Sequence, residues 1–298
     1  MKRCDFAEKI TSIIYTSPLI DDNFTRVPTT PPPETAALRD LAVHLAHAAG
    51  EELLARQTGL SIDAAGVETK SSASDPVSAA DRASEKLITD GLSATRPGDG
   101  LLGEEGAAKT STTGLTWVID PLDGTVNYLY GRLDWSVSIA VEDEAGAVAG
   151  VVHQPRTGMT WSAIRDHGAH RDGNPLGPLR DVIPAAALVS TGFSYLADQR
   201  AEQAEYVRRL LPVVRDLRRG GSAALDLCSV ADETADAYYE HLIQPWDIAA
   251  GALIAREAGA TTIGGPGTAL PRGVLAAPPE LATALVELLA PLKPRRLE

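Results

Sequence analysis

Trp117-Val118-Ile119-Asp120-Pro121-Leu122-Asp123-Gly124-Thr125 decides how this chain is read. Three apolar residues lead into a carboxylate, which is the pattern of a buried strand that stops at Asp120 and turns so that Asp123 follows three residues later. Both acids then face one point. Gly124 lets the backbone approach a ligand closely, and Thr125 opens a short helix whose N–H groups point at an anion, an arrangement that suits phosphate. The competing reading is a strand-end turn in which Asp caps a helix, because Asp-Gly is a common turn pair.

Working outward, Leu101-Leu102-Gly103-Glu104-Glu105-Gly106 places two more acids after a short apolar strand. Alone it reads as a solvated charge pair. Trp246-Asp247-Ile248-Ala249-Ala250-Gly251 puts an acid at the start of a helix of small residues, which alone reads as N-terminal capping. Their conjunction says more. Three element ends deliver carboxylates, and several buried anions are tolerated only if cations neutralise them. Oxygen ligands without Cys or a His at ligand spacing select Mg²⁺ or Mn²⁺. Two such ions, about 3.5–4 Å apart, hold the attacking water and the leaving oxygen of an in-line phosphoryl displacement. The motifs therefore predict a phosphate-ester hydrolase. A phosphatase with a nucleophilic Asp in an Asp-x-Asp pair is disfavoured, since Asp120 and Asp123 stand three apart.

The formal net charge is −13 and the pI about 4.9, so the average field repels nucleic acid and anionic membranes. A small anionic substrate needs cations at the site, which a metal cluster supplies. Cys4 and Cys228 are the two cysteines, too few for a disulfide framework or a Cys-rich metal centre, and the cytosol is the expected compartment. No secretory signal and no apolar run long enough to span a membrane is read from the sequence.

Residues 1–33 end in a run of prolines and lack periodicity, as expected of a flexible extension. Leu38, Leu41, Leu45, Ala48, Ala49 and Leu53 predict a helix up to Gly59, and a second helix is expected from Ser78 through Ile88. Strands are expected at 101–102 and 116–119, then as an antiparallel meander at 136–141, 147–152 and 159–164. Beyond 175 the pattern gives a strand at 187–191, helices over 199–217 and from Ser222, a strand at 237–240, a helix over 248–258, a strand at 274–276 and a closing helix over 279–289. This is an α/β chain of mixed α+β character in two halves.

With these motifs in place, the chain resembles the inositol monophosphatases, and closely resembles their actinobacterial, SuhB-like branch, over roughly 35–289. The likeness rests on Glu104-Glu105, on 120–125, on 246–251, and more softly on Lys70-Ser71-Ser72, 75–81 and 221–226. It implies a layered αβαβα sandwich of the sugar-phosphatase type, with the site between an N-terminal half (34–175) and a C-terminal half (176–298), usually as a homodimer. It implies two to three Mg²⁺ ions, with Mn²⁺ as a substitute, ligated by Glu104, Asp120, Asp123, Asp247 and the Leu122 carbonyl. Glu104, Asp120 and Thr125 would be catalytic, and Gly124 and Thr125 would hold phosphate and help position the water. Gly221, Ser222, Ala223, Glu240 and Asp247 would meet the substrate, and Lys70 and Asp81 would line the site. Inhibition by Li⁺ and a phosphorylated polyol substrate complete the expectation.

Within the same superfamily, histidinol phosphate, fructose 1,6-bisphosphate or a 3′-phosphonucleotide would use the same metal core. Glu240 favours a polyol over a nucleotide. A non-catalytic regulatory protein is the alternative of a different class, and the complete set of ligand positions argues against it. Arg215, Arg218 and Arg219 read as a solvated helix end.

Overall fold

Leu38, Ala42, Leu45, Ala49 and Leu53 recur at helical spacing, and the helix they form, α1 (Pro33–Gln57), buries that stripe. The computed structural model describes residues 30–57, 76–265 and 267–290. The expected extension up to residue 29, Lys70, and the segment just before α2 lie outside them. α2 (Pro76–Thr95) packs beside α1 through Ile88 and Leu92. It starts at Pro76 and not at Ser78, because proline fits the first helical turn, where no N–H is needed.

β1 (Gly100–Gly103), β2 (Ala108–Lys109), β3 (Thr116–Asp123), β4 (Ser136–Asp143), β5 (Gly146–Gln154), β6 (Met159–Ile164), β7 (Ala169–Arg171) and β8 (Asn174–Pro175) form one sheet in the order β2-β1-β3-β4-β5-β6-β7-β8. The meander from β3 to β8 is antiparallel, as its Gly-containing turns predict. β1 runs parallel to β3, which lays the 103–107 turn beside the end of β3. A short helix, α3 (Thr125–Leu129), follows β3 directly. It is anchored by the buried Tyr128, whose hydroxyl donates to the Leu53 carbonyl at 2.8 Å.

The second sheet is built from β9 (Leu188–Thr191), β10 (Asp216–Arg218), β11 (Ala237–His241), β12 (Thr261–Gly264) and β13 (Gly273–Ala277), in the order β10-β9-β11-β13-β12. Its helices are α4 (Ala197–Leu210), α5 (Ala223–Ala231), α6 (Pro245–Ala258) and α7 (Pro279–Leu289). The expected helix over 199–217 ends at Leu210. Pro212 cannot donate the next helical bond and disfavours the helical conformation of its predecessor, and 216–218 pair instead as a parallel edge strand on β9. Arg218 is therefore a strand residue and Arg219 lies just beyond it, not on a helix end.

Alternation along the strands assembles five layers. Trp117 and Ile119 face α1 and α2, while Val118 between them faces α5 and α6. Tyr238 and Ala276 face the other side of α5 and α6, and Tyr239 and Leu275 pack on α4 and α7. The result is helices, sheet, helices, sheet, helices. α5 and α6 are covered by a sheet on each side, which explains why Ala249, Ala250, Leu253, Ile254 and Ala255 are all buried. Small side chains let the two sheets approach a shared helical layer.

Candidate active site

Residues three apart on a regular strand point to opposite faces, so Asp120 and Asp123 should diverge. They do not, because β3 is irregular there: Asp120 pairs with Ser138 and Asp123 with Ser136. Three residues of β3 thus span two of β4, a bulge that restores a common side. Pro121, which has no N–H to lose, occupies it. The strand continues through Asp123, and the expected stop at Asp120 is this bulge. Leu122 N–H donates to Asp120 Oδ1 at 3.1 Å, and the Ser84 hydroxyl of α2 fixes the Pro121 carbonyl at 2.8 Å.

Asp123 reaches the start of α5, about a hundred residues later in the chain. Ser222 Oγ donates to its Oδ2 at 2.6 Å, Ala224 N–H to Oδ2 at 2.8 Å, and Ala223 N–H to Oδ1 at 3.3 Å. Ser222 is also the N-cap of α5, accepting from Leu225 N–H. One seryl hydroxyl therefore caps the start of α5 and ties it to the end of β3. Gly124 has φ 90°, and a Cβ there would lie 2.9 Å from the Asp134 carbonyl and 3.2 Å from that of Gly221, so only glycine fits this junction. Asn127 bridges the same two segments, donating to Asp134 O at 2.6 Å and Gly220 O at 2.9 Å.

Asp247 is the third residue of α6 and accepts from the Gln244 N–H at 2.9 Å, one half of a capping box. The capping role read from the sequence and a place in the acid cluster belong to the same side chain. Burial, and then Asp123, pushes its carboxyl well above the usual range, with Glu104 and Glu240 adding to the effect. Asp120, 2% exposed, is pushed up likewise by burial and then by Glu104, Asp123, Asp247 and Asp81. Asp123 is raised to about 6 by burial, which outweighs its three donors. Asp81 is fully buried on α2. Thus Glu104, Asp120, Asp123, Asp247 and Asp81, from four separate elements or turns, share one electrostatic neighbourhood.

Glu240 lies on the β11 face that also presents Tyr238, whose hydroxyl donates to Glu240 Oε2 at 2.7 Å. Burial, helped by Asp123 and opposed by that hydrogen bond and by Arg219, raises its carboxyl to about 7. Ser222 and Ala223 contact Asp123, and the Gly221 carbonyl lies against Gly124. Three contributors were not singled out from the sequence. Glu85 of α2 shapes the turn that carries Glu104, accepting from the N–H groups of Glu105 at 2.9 Å and Ala107 at 3.0 Å. Ser84 and Asp226 are the others; Asp226 is buried beside Gly220 and close enough to Asp123 and Glu240 to be pushed up by both after burial itself. The available signal was the i, i+3, i+4 stripe Asp81, Ser84, Glu85 on an otherwise amphipathic helix.

Among the described residues no three Asp, Glu, His or Cys side chains already stand as a closed ligand cage. The donors are nonetheless all hard oxygens, they repel one another, and no lysine or arginine is paired with Asp120, Asp123 or Asp247 among the described ion pairs. Such a set fits a hard divalent cation in its chemistry. Thr125 Oγ1 donates to the Leu122 carbonyl at 3.1 Å, so the hydroxyl oxygen keeps only its acceptor capacity. His47, His153 and His241 make their contacts elsewhere, with Thr160 and Glu202.

Comparison with known proteins agrees with this architecture. Residues 34–293 match the model of the inositol monophosphatase family. The inositol-1-monophosphatase of Mycobacterium leprae is 43% identical over 285 residues, covering 88% of this chain and 96% of that protein. The Mycobacterium tuberculosis SuhB structure superposes with a TM-score of 0.74 at 40% identity, covering 87% of this chain and 97% of that one. A protein named Nus factor SuhB from Xylella fastidiosa is 39% identical over 199 residues, 66% of this chain and 72% of its own length. The inositol monophosphatases are phosphoric monoester hydrolases that act on small phosphorylated substrates and are generally metal-dependent, and the chain belongs to the inositol monophosphatase family.

Proposed function

We propose that this protein hydrolyses an inositol monophosphate, or a closely similar polyol phosphate, with Mg²⁺ as the activating ion. The observation that carries the reading is the convergence of the buried Asp120 and Asp123 with the half-buried Asp247 and Glu104; burial and mutual repulsion push the carboxyls of Asp120, Asp123 and Asp247 up. Glu104, Asp120, Asp123, Asp247 and the Leu122 carbonyl would hold two to three Mg²⁺ ions, with Mn²⁺ as a substitute. Bound there, the ions supply Lewis-acid charge for the phosphoryl oxygens and lower the pKa of water.

The chain's own residues do the rest. Gly124 and the first N–H groups of α3 form the phosphate seat. Because the Thr125 hydroxyl proton is committed to the Leu122 carbonyl, Oγ1 meets a water as an acceptor and orients its lone pairs toward phosphorus. Glu104 and Asp120 complete the water's surroundings. Gly221, Ser222, Ala223 and Glu240 flank the leaving alcohol, and Glu240 accepts hydrogen bonds from vicinal hydroxyls. Asp81, whose charge reaches Asp120, belongs to the margin of the site. A homodimer in the cytosol is the expected setting, and the described helices include none long and apolar enough to cross a membrane.

The test is a substrate panel ranked by kcat/KM: inositol monophosphates, histidinol phosphate, fructose 1,6-bisphosphate and 3′-phosphoadenosine phosphate, with millimolar Li⁺ as inhibitor. Inositol monophosphate should lead and Li⁺ should inhibit. A different leader reassigns the substrate, and absence of turnover with Mg²⁺ removes the hydrolase reading in favour of the non-catalytic role suggested by relatives named Nus factors.

A further inference from the structure

Glu240 is not held in place by its strand alone. Its carboxylate lies against Gly192, where a Cβ would stand 1.8 Å from Oε2, so the backbone just after β9 forms one wall of its position. That backbone is secured from α4. Gln203, 3% exposed, accepts from the Ser194 N–H at 2.8 Å through Oε1 and donates from Nε2 to the His241 carbonyl at 2.6 Å. One buried carboxamide thus joins the segment lying on Glu240 to the residue following Glu240. The partners fix the orientation of the amide, since one is a donor and the other an acceptor. The first turns of α4 brace the same segment: Ser194 Oγ donates to Gln199 Oε1 at 2.6 Å, and Arg200 donates to the Ser194 and Tyr195 carbonyls at 3.1 and 2.8 Å.

Gln203 occupies a position of the core stripe, with Tyr206 and Leu210, where an apolar residue would pack at no cost in desolvation. A buried amide there is retained for the bonds it makes. We propose that Gln203 is a positioning residue for recognition of the leaving alcohol: it clamps the 192–194 segment to the end of β11 and thereby sets where the Glu240 carboxylate stands. The inference rests on the polyol role of Glu240.

The experiment compares the full-length protein with Gln203→Met, Glu240→Gln and the double variant, on an inositol monophosphate and on a simple aryl phosphate, with Mg²⁺. Gln203→Met should lose about tenfold more kcat/KM on the inositol phosphate than on the aryl phosphate, the worth of one hydrogen bond, with the excess in KM. The double variant should discriminate no worse than Glu240→Gln alone. Amide exchange at Ser194 should speed up about tenfold, reporting the clamp without any substrate. Equal losses on both substrates, additive losses in the double variant, or unchanged Ser194 exchange would overturn the proposal. If Glu240→Gln itself shows no selectivity, the polyol reading has failed, and the positioning role falls with it even where exchange is faster. Gly192→Ala, which displaces the carboxylate without touching α4, should reproduce the selectivity loss and serves if Gln203→Met does not fold.

Discussion

Asp120 and Asp123 lie three residues apart at one strand end, yet they are held in opposite ways. Asp123 is met by a hydroxyl and two backbone N–H groups from the start of α5, so much of its charge is answered by protein dipoles. Asp120 accepts one bond from within its own turn and otherwise faces Glu104, Asp123, Asp247 and Asp81. The first carboxylate is built into the fold. The second is an unanswered charge, the kind that folded proteins keep where a cation or a reaction uses it. The difference is one of how each charge is answered: Asp123 by donors of the fold, Asp120 by none from outside its own turn.

The largest expected effect tests the unanswered side of that contrast. Asp120→Asn and Asp247→Asn should each lower kcat by at least about a hundredfold with the fold retained, since even outer partners of a metal centre cost 10–100-fold. EDTA should abolish turnover in the wild type. Activity that survives chelation, or a near-normal rate in either variant, breaks the assignment.

A buried carboxylate with no place in the site sharpens the comparison. Glu142 on β4 is 5% exposed, its Oε1 has no hydrogen-bond partner, and burial raises it to about 7, with Arg256 opposing and Asp143 adding to the shift. The folded protein therefore keeps a proton that the unfolded chain releases near 4.5. Stability due to this group is present at low pH and lost as pH rises from about 4.5 to 7. Relative to Glu142→Gln, wild type should lose up to about 3 kcal/mol across that window and then level off. Urea denaturation at pH 4.5 and 7.5 reads it, and a difference that does not change with pH would mean the carboxylate is solvated or paired.

The smallest effect separates the two aspartates thermally. In metal-free protein at neutral pH, Asp120→Asn relieves repulsion and should melt a few degrees above Asp123→Asn, which forfeits charge-assisted bonds; that gap corresponds to about 1 kcal/mol. Added Mg²⁺ should raise wild type above both. The reverse order of the two variants would show that α5 does not secure Asp123.

Much of this was legible before any coordinates. The apolar run at 117–119 and the apolar segments set off by turns through 136–164 mark strands, and the spacing of Leu38, Leu45, Ala49 and Leu53 marks α1, because burial imposes a pattern that local sequence carries. The short helix after Gly124 and the convergence of Asp120 with Asp123 were also readable from the motif. The helix through 199–217 was misread past Pro212, where a weak edge strand has too few residues to show a period.

The amino-acid sequence by itself determined most of the longer helices and strands and which of their ends carry acids. Tertiary structure alone decided that the convergence of Asp120 and Asp123 is made by a bulge, that Ser222 reaches Asp123, that Ser84 and Glu85 shape the turns around the acids, and that Gln203 and Gly192 bracket Glu240. The physical reason is range. Periodicity and capping are set by neighbours three or four residues away, whereas Ser222 and Asp123 are 99 residues apart, and a hydrogen bond across that separation leaves no repeating trace in the sequence, only the two side chains that make it.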